Sequence, residues 1–136
     1  MPTLEQIRAT FAADRFATQA AGCEIRLAEP GHAVCAMTLE SRHRNAAGTP
    51  QGGAVFTLAD FAFAVAVNAF AEYVTVSLQH GITFLSPAKG NVLQAEACCV
   101  RAGRSTCFYT VTVTDELGTA VAHMTVNGFT TQKRLA

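Results

Sequence analysis

Between Ala54 and Ala71 the chain is almost wholly apolar, and its one ionisable side chain there, Asp60, lies near the middle. Nothing else ionisable stands between Arg44 and Glu72. A helix apolar on every side has to be buried, either in lipid or at the centre of a domain. A carboxylate at the middle of a membrane span costs about 2.5–3.5 kcal/mol. Thr57 and Asn68 weaken a span further, and strand-like sequence follows at once. The segment therefore reads as the buried centre of a domain, and the rest of the chain has to wrap it.

The flanks supply the wrapping. Thr3-Leu4-Glu5-Gln6 has capping-box spacing, and Leu4, Ile7 and Phe11 recur at helical intervals, which predicts a short amphipathic helix over about 3–12. Strand-like segments follow near Gly22–Ala28 and His32–Leu39, separated by the turn Glu29-Pro30-Gly31. After a polar loop, Ser41 to Pro50, Thr49 is placed to cap the long helix with Pro50 in its first turn, and the helix runs to about Ala71. Beyond it the period is two. Val74, Val76, Leu78, Ile82 and Phe84 share one face, against Thr75, Ser77, Gln79 and Thr83. Pro87–Gly90, Ala102–Arg104 and Asp115–Gly118 then turn the chain into three further strands, 91–101, 105–114 and 119–129. Cys107, Tyr109, Val111 and Val113 mark the apolar face of one; Ala120, Ala122, Met124 and Val126 mark that of the last. The expectation is a single α+β domain over 1–136, with an antiparallel sheet of about five or six strands around one long helix.

Ten basic and ten acidic side chains cancel, so no broad positive field invites nucleic acid or an anionic membrane. Five cysteines, at 23, 35, 98, 99 and 107, form no CxxC, and Met1–Glu5 has neither the basic start nor the apolar run of a leader. Reduced thiols in the cytoplasm are the expectation. Cys98 and Cys99, adjacent in a strand, are expected to point to opposite faces as small packing residues. His32, His43, His80 and His123 show no HxxxH or HExxH spacing, so no metal site is expected. GxGxxG, P-loop and GxSxG motifs are absent too.

Chemistry concentrates before and on the long helix. A lone carboxylate on an apolar helix is expensive to bury unless bonded, paired or needed. Gly52-Gly53 opens the helix, where free N–H groups and the positive end of the dipole suit a carbonyl oxygen gaining charge. Asp60, seven or eight positions on, falls on the same side of the helix. A polarised carbonyl beside a carboxylate is half of a hydrolase.

The stretch N-x-x-G-x-x-[HQ]-G-G-x-x-x-x-L-x-D, Asn45 to Asp60, is followed by Ile82-Thr83-Phe84-Leu85-Ser86-Pro87-Ala88-Lys89-Gly90 and later by Gly103-Arg104. In these motifs, over about 22–130, the chain resembles the phenylacetate-pathway (PaaI-like) hotdog acyl-CoA thioesterases. The resemblance implies a long helix wrapped by an antiparallel sheet, paired into a homodimer and further into a dimer of dimers. It implies hydrolysis of an aryl- or fatty-acyl-CoA, with the CoA thioester as substrate and no separate cofactor. It places the site between subunits, with Asp60 of one facing Asn45 and the Gly52 amide of the other. Asp60 matches the general base or nucleophile, the Gly52 N–H the group that polarises the thioester carbonyl, and Asn45 a positioning side chain. Ser77 matches a hydroxyl near the water. Gln51 stands where members usually carry His; it can donate and accept, but it does not titrate near neutrality.

Lys89, Arg101, Arg104 and Lys133 are the candidate phosphate contacts for CoA, with Gly103-Arg104-Ser105 resembling the family's nucleotide-binding edge. Phe56, Phe61, Phe63, Phe70 and Phe84 either line an aryl pocket or fill the core. Two rivals stand. An enoyl-thioester hydratase needs a His paired with a carboxylate, and no His lies on or just before the helix, His43 being nearest. A non-catalytic acyl-CoA sensor has no need of Asp60 beside a thioester.

Overall fold

The computed structural model describes residues 1–135. Helix α1 (Leu4–Phe11) carries the expected capping box, Thr3 with Gln6, and buries Ile7 and Phe11. A π-helical turn at Phe16–Ala20 leads into β1 (Cys23–Glu29) and β2 (His32–Thr38). The long helix α2 spans Gly52–Asn68, and β3 (Thr75–Phe84), β4 (Val92–Ala102), β5 (Thr106–Asp115) and β6 (Ala120–Thr130) follow. The strands form one antiparallel sheet, ordered β1-β2-β4-β5-β6-β3.

The sheet curls around α2, which touches all six strands. Leu58, Ala59, Ala62 and Val65 of the helix are fully buried against strand residues such as Leu93, Ala95, Val111, Met124 and Val126. Fully burying one Leu, Val or Met contributes about 1.5–3 kcal/mol, so this seam dominates the fold's stability. Among the described residues no helix is long and apolar enough to cross a membrane. The sheet does not enclose α2 completely. Phe56, Thr57, Asp60, Ala64 and Val67, three or four residues apart, form a half-buried stripe along the helix.

A buried side chain fixes how β3 begins. Asn68, at the end of α2, accepts from the Thr75 N–H at 2.8 Å and donates to the Thr75 carbonyl at 3.0 Å. The strand pairs with β6 at the sheet's edge, and its register slips between Ser77 and Gln79. That bulge changes the phase of the strand. Before it, Thr75 is buried and Ser77 lies opposite Gly128; after it, His80, Ile82 and Phe84 lie opposite the buried Val126, Met124 and Ala122.

Several expectations are corrected by this arrangement. Val76 and Leu78 do not share the core face with Ile82, and Leu78 is 66% exposed. One uninterrupted period of two cannot describe a strand that contains a bulge. A register shift between Val113 and Thr114 likewise leaves Ala120 exposed, with Val121 and Ala122 both buried. The chain does not turn back on itself from β3 to β4: it crosses from the sheet edge to a place between β2 and β5. Cys98 and Cys99 are both exposed rather than packed, next to a register shift between Cys99 and Arg101. Helix α2 starts later than expected. Its cap is Gln51, whose side-chain oxygen accepts from the Gly53 N–H, while the Thr49 hydroxyl donates to Asn45 Oδ1 within the preceding loop.

Candidate active site

The loop before α2 is built around Asn45. Its Oδ1 accepts from the N–H of Ala47 (3.0 Å) and Thr49 (3.2 Å) and from the Thr49 hydroxyl (3.2 Å). The carboxamide oxygen is thus spent inside the loop, and Nδ2 is the end Asn45 offers outward. His43 is buried and structural: Nδ1 accepts from the Glu40 N–H and Nε2 donates to the Ala21 carbonyl at 2.7 Å. Its own carbonyl receives the Gln51 N–H at 2.8 Å, which anchors the helix start.

At that start the donors are shared out unevenly. Gln51 Oε1 accepts from the Gly53 N–H at 2.6 Å, and the Gln51 carbonyl accepts from Ala54 and Val55. A side chain on Gly53 would sit 2.6 Å from Gln51 Oε1, so glycine is what admits this cap. Among the described residues the Gly52 N–H has no partner, and it stands at the positive end of the α2 dipole. It borders a cleft of about 350 Å³ lined by Pro50, Val55, Phe84, Leu85, Ala88 and others, with the Phe84 ring against Gly52 itself. An apolar cleft with a free N–H at one point suits a carbonyl flanked by hydrocarbon.

Asp60 is not buried within one protomer. It lies on the stripe the sheet leaves open, and its side chain is 44% exposed. Nor is it alone. His80 Nε2 is 2.8 Å from Asp60 Oδ1. An ionised carboxylate only accepts, so Nε2 carries the hydrogen. The ring is 16% exposed and packs edge-on against Phe56 (centroids 4.9 Å apart) and Phe63 (6.4 Å). The expectation that no histidine attends the carboxylate is therefore corrected: the His arrives from β3, twenty residues downstream. Its signal in the sequence is its phase, since His80 alternates with Ile82 and Phe84.

Gly52 and Asp60 do not converge within one chain. Eight residues of α2 separate them, about 12 Å along the axis. An oxyanion donor and a base acting on one carbonyl each need to lie about 3 Å from their atoms. Ser77 is exposed, three residues before His80 and on the helix-ward side of the bulge.

The expected phosphate contacts are also divided. Lys89 adjoins the cleft at Ala88, and its N–H is held by Asp115 Oδ2. Gly103, Arg104 and Ser105 form the β4–β5 turn, closed by Gly103 N–H donating to the Thr106 carbonyl. The length of β4, roughly 30 Å, separates Lys89 from Arg104. Arg101 sits beside Leu78, Gly103 and Phe108, and Lys133 is exposed near the C-terminus.

One group of metal-capable side chains is formed by pairing between strands rather than by sequence spacing: His32, Glu96 and Cys98, within 4.8 Å of one another. Both ring nitrogens of His32 are taken, Nδ1 by Glu29 at 2.9 Å and Nε2 by Glu96 at 2.7 Å. Those two hydrogen bonds raise the His32 pKa above its ordinary value, so the group reads as an ion network on the outer face.

Residues 47–122 match the thioesterase superfamily model. Human acyl-coenzyme A thioesterase 13 is 34% identical over 91 residues, covering 65% of each chain. The chain spans 60–65% of the length of the curated relatives it matches. The Escherichia coli PaaI protein from the phenylacetic acid degradation operon superposes with a TM-score of 0.84 at 26% identity, covering 97% of this chain and 99% of that one. The smu.793 protein of Streptococcus mutans, solved bound to acetyl CoA, gives a TM-score of 0.75 at 31% identity, covering 82% and 90%. The matched segment holds the Gly52 amide with its apolar cleft, Asp60 and His80, and the helix-wrapped sheet is that of the hotdog neighbours: the chain belongs to the thioesterase superfamily.

Proposed function

We propose that this chain hydrolyses acyl-CoA thioesters in a site completed by a second copy of itself. The observation that carries the reading is the 12 Å separation of two complementary half-sites on one helix: Asp60 with His80, and the unpartnered Gly52 N–H beside its apolar cleft. Each half is open, and each lacks what the other has. The stripe bearing Asp60 and the exposed Val76 and Leu78 at the β3 edge are the surfaces a second copy would cover. A homodimer follows, and a dimer of dimers agrees with the family resemblance.

In the assembled site the thioester oxygen lies on the Gly52 N–H of one subunit, with Asn45 Nδ2 and Gln51 at its rim. Asp60 of the other takes a proton from water as the water oxygen bonds to the carbonyl carbon. The oxyanion forms against the helix N-terminus and collapses, breaking the C–S bond. The proton on Asp60 passes to the departing thiolate, and acid and CoA-SH leave. Gln51 holds the Gly53 N–H and serves no proton transfer in this scheme, so the step does not need the usual His. Ser77 sits at the margin of the Asp60 half. Lys89 is placed for phosphates of a CoA entering the Gly52 cleft, and Arg104 for a CoA reaching the far end. The Streptococcus mutans neighbour bound to acetyl CoA and the name of the human relative support the substrate class. The five free thiols fit a reducing, cytoplasmic setting.

The test is Asp60→Asn, near-isosteric but without the base. Release of free thiol from an acyl-CoA should fall by about 10²–10⁴ with the melting temperature kept. Wild-type kcat in that variant would make Asp60 structural. The His80–Asp60 pair also supplies what an enoyl-thioester hydratase requires, and that second reading is separated directly: a hydratase consumes an enoyl-CoA without releasing thiol.

A further inference from the structure

We propose that His80 is a positioning residue for the hydrolysis proposed above, holding the Asp60 carboxylate in the orientation from which it takes the proton of water. The inference rests on that reading and assigns a residue it leaves without a role.

An aspartate on a half-open helix stripe has two free torsions and nothing in its own helix to hold it. Phe56, Ala64 and Val67 are apolar and offer it no hydrogen bond, and the Thr57 hydroxyl donates instead to the Gly53 carbonyl at 2.8 Å. His80 supplies one, from a second element of the fold, to one oxygen only. Oδ1 is tied at 2.8 Å, Oδ2 has no partner among the described residues, and the side chain as a whole is 44% exposed. The donor is itself restrained: Phe56 and Phe63 meet the ring edge-on. A swing of the imidazole would move it into one of them.

The chain takes trouble over this contact. Without the slip between Ser77 and Gln79, the alternation that buries Thr75 would send Gln79 and Gly81 toward the helix and turn His80 to the outer face. Asn68 sets where β3 begins, the bulge shifts its phase, and the two together aim Nε2 at Asp60. A plain tie between helix and strand would make the same hydrogen bond, so the test separates stability from turnover.

His80→Met fills the space of the ring with an apolar chain and removes the donor; His80→Gln keeps an N–H at similar reach. With an acyl-CoA that the wild type turns over, His80→Met should lower kcat on the order of tenfold to a hundredfold, the scale of a misplaced catalytic group. KM should stay within about twofold, since the contact forms no part of substrate binding. His80→Gln should recover most of the loss. The Asp60→Asn, His80→Met double variant should be no slower than Asp60→Asn alone, because a residue acting through Asp60 has nothing left to position. Wild-type kcat in His80→Met would overturn the role. So would a double variant clearly slower than Asp60→Asn, or a loss that falls on KM. If His80→Met does not fold, His80→Leu, also apolar and without a donor, and its double variant with Asp60→Asn carry the same comparison. A wild-type chain that releases no thiol from any acyl-CoA sinks the hydrolase reading and this role with it; an active wild type beside an unimpaired His80→Met sinks this role alone.

Discussion

Replacing Asn68 with Leu removes the clamp between α2 and β3 while keeping most of the side-chain volume. Asn68 is 8% exposed, and Thr75, whose N–H and carbonyl it serves, is buried as well. Leucine leaves both backbone groups unpaired at a site water reaches poorly. Each unsatisfied buried group costs about 1–3 kcal/mol. Two such losses, less about 1 kcal/mol returned by the apolar surface of Leu, leave a net destabilisation of about 1–5 kcal/mol. For a chain of this length about 3–5 °C accompany each kcal/mol, so the melting temperature should fall roughly 3–25 °C. Urea denaturation gives the free energy, and amide exchange shows where it is lost: the N–H of Thr75 should exchange faster than those of β4 and β5. Asn68→Asp serves as the second arm. It keeps an acceptor for the Thr75 N–H but sets an oxygen against the Thr75 carbonyl, so it should be no more stable than the leucine variant. A loss under about 0.5 kcal/mol for Asn68→Leu, within the range of ordinary surface substitutions, would show that β3 begins correctly without the clamp.

Lys89→Ala and Arg104→Ala should each raise KM for acyl-CoA several-fold at low salt with kcat nearly unchanged, and their effects should multiply, since the two lie at opposite ends of β4; a KM indifferent to both removes them from CoA binding. Co-refolded mixtures of Asp60→Asn and Asn45→Ala chains should regain about a quarter of wild-type activity, because about half the dimers are mixed and each carries one intact site of two; no recovery, with mixed dimers present, would place both groups in one subunit. Asp115 supplies a pH test. Burial raises its carboxyl pKa, but N–H donation from Gly90, Thr119 and Lys89 outweighs this and holds it well below the usual carboxylate value. Its contribution to stability is complete above about pH 4 and is lost as the pH falls below that. The urea midpoint of the wild type should therefore decline in acid more steeply than that of Asp115→Asn, and parallel curves would refute the assignment.

Much of this architecture was legible because its signals are periodic. The apolar run of α2, the capping box at Thr3 and the alternation through β5 each announce an element without knowledge of its partners. Asp60 was legible for the opposite reason, as the exception in an apolar run. His80 was missed because its meaning is tertiary: in the sequence it is one histidine among four, twenty residues from the carboxylate it serves. The strand alternation was carried through Leu78 as though unbroken, although nothing local marks the slip there. Gln51 rather than Thr49 caps the helix because the loop folded around Asn45 delays the helix start to Gly52, which the sequence does not show. The strand order was likewise beyond reach, since hairpin turns specify neighbours only when the chain folds directly back.

The irregular edge at Leu78 has a bearing on solubility as well as on the site. In the single chain β3 exposes unpaired backbone together with Val76 and Leu78, beside the exposed Phe129 of β6, the features that let strands of many chains add to one another without limit. The slip divides that edge into a short run, Thr75–Ser77, and a longer one, Gln79–Phe84, out of phase with each other. A flat foreign strand can match one run or the other but not both, whereas a second copy brings the same interruption. In the proposed dimer the edge would thus accept its own kind while presenting a poor template to everything else.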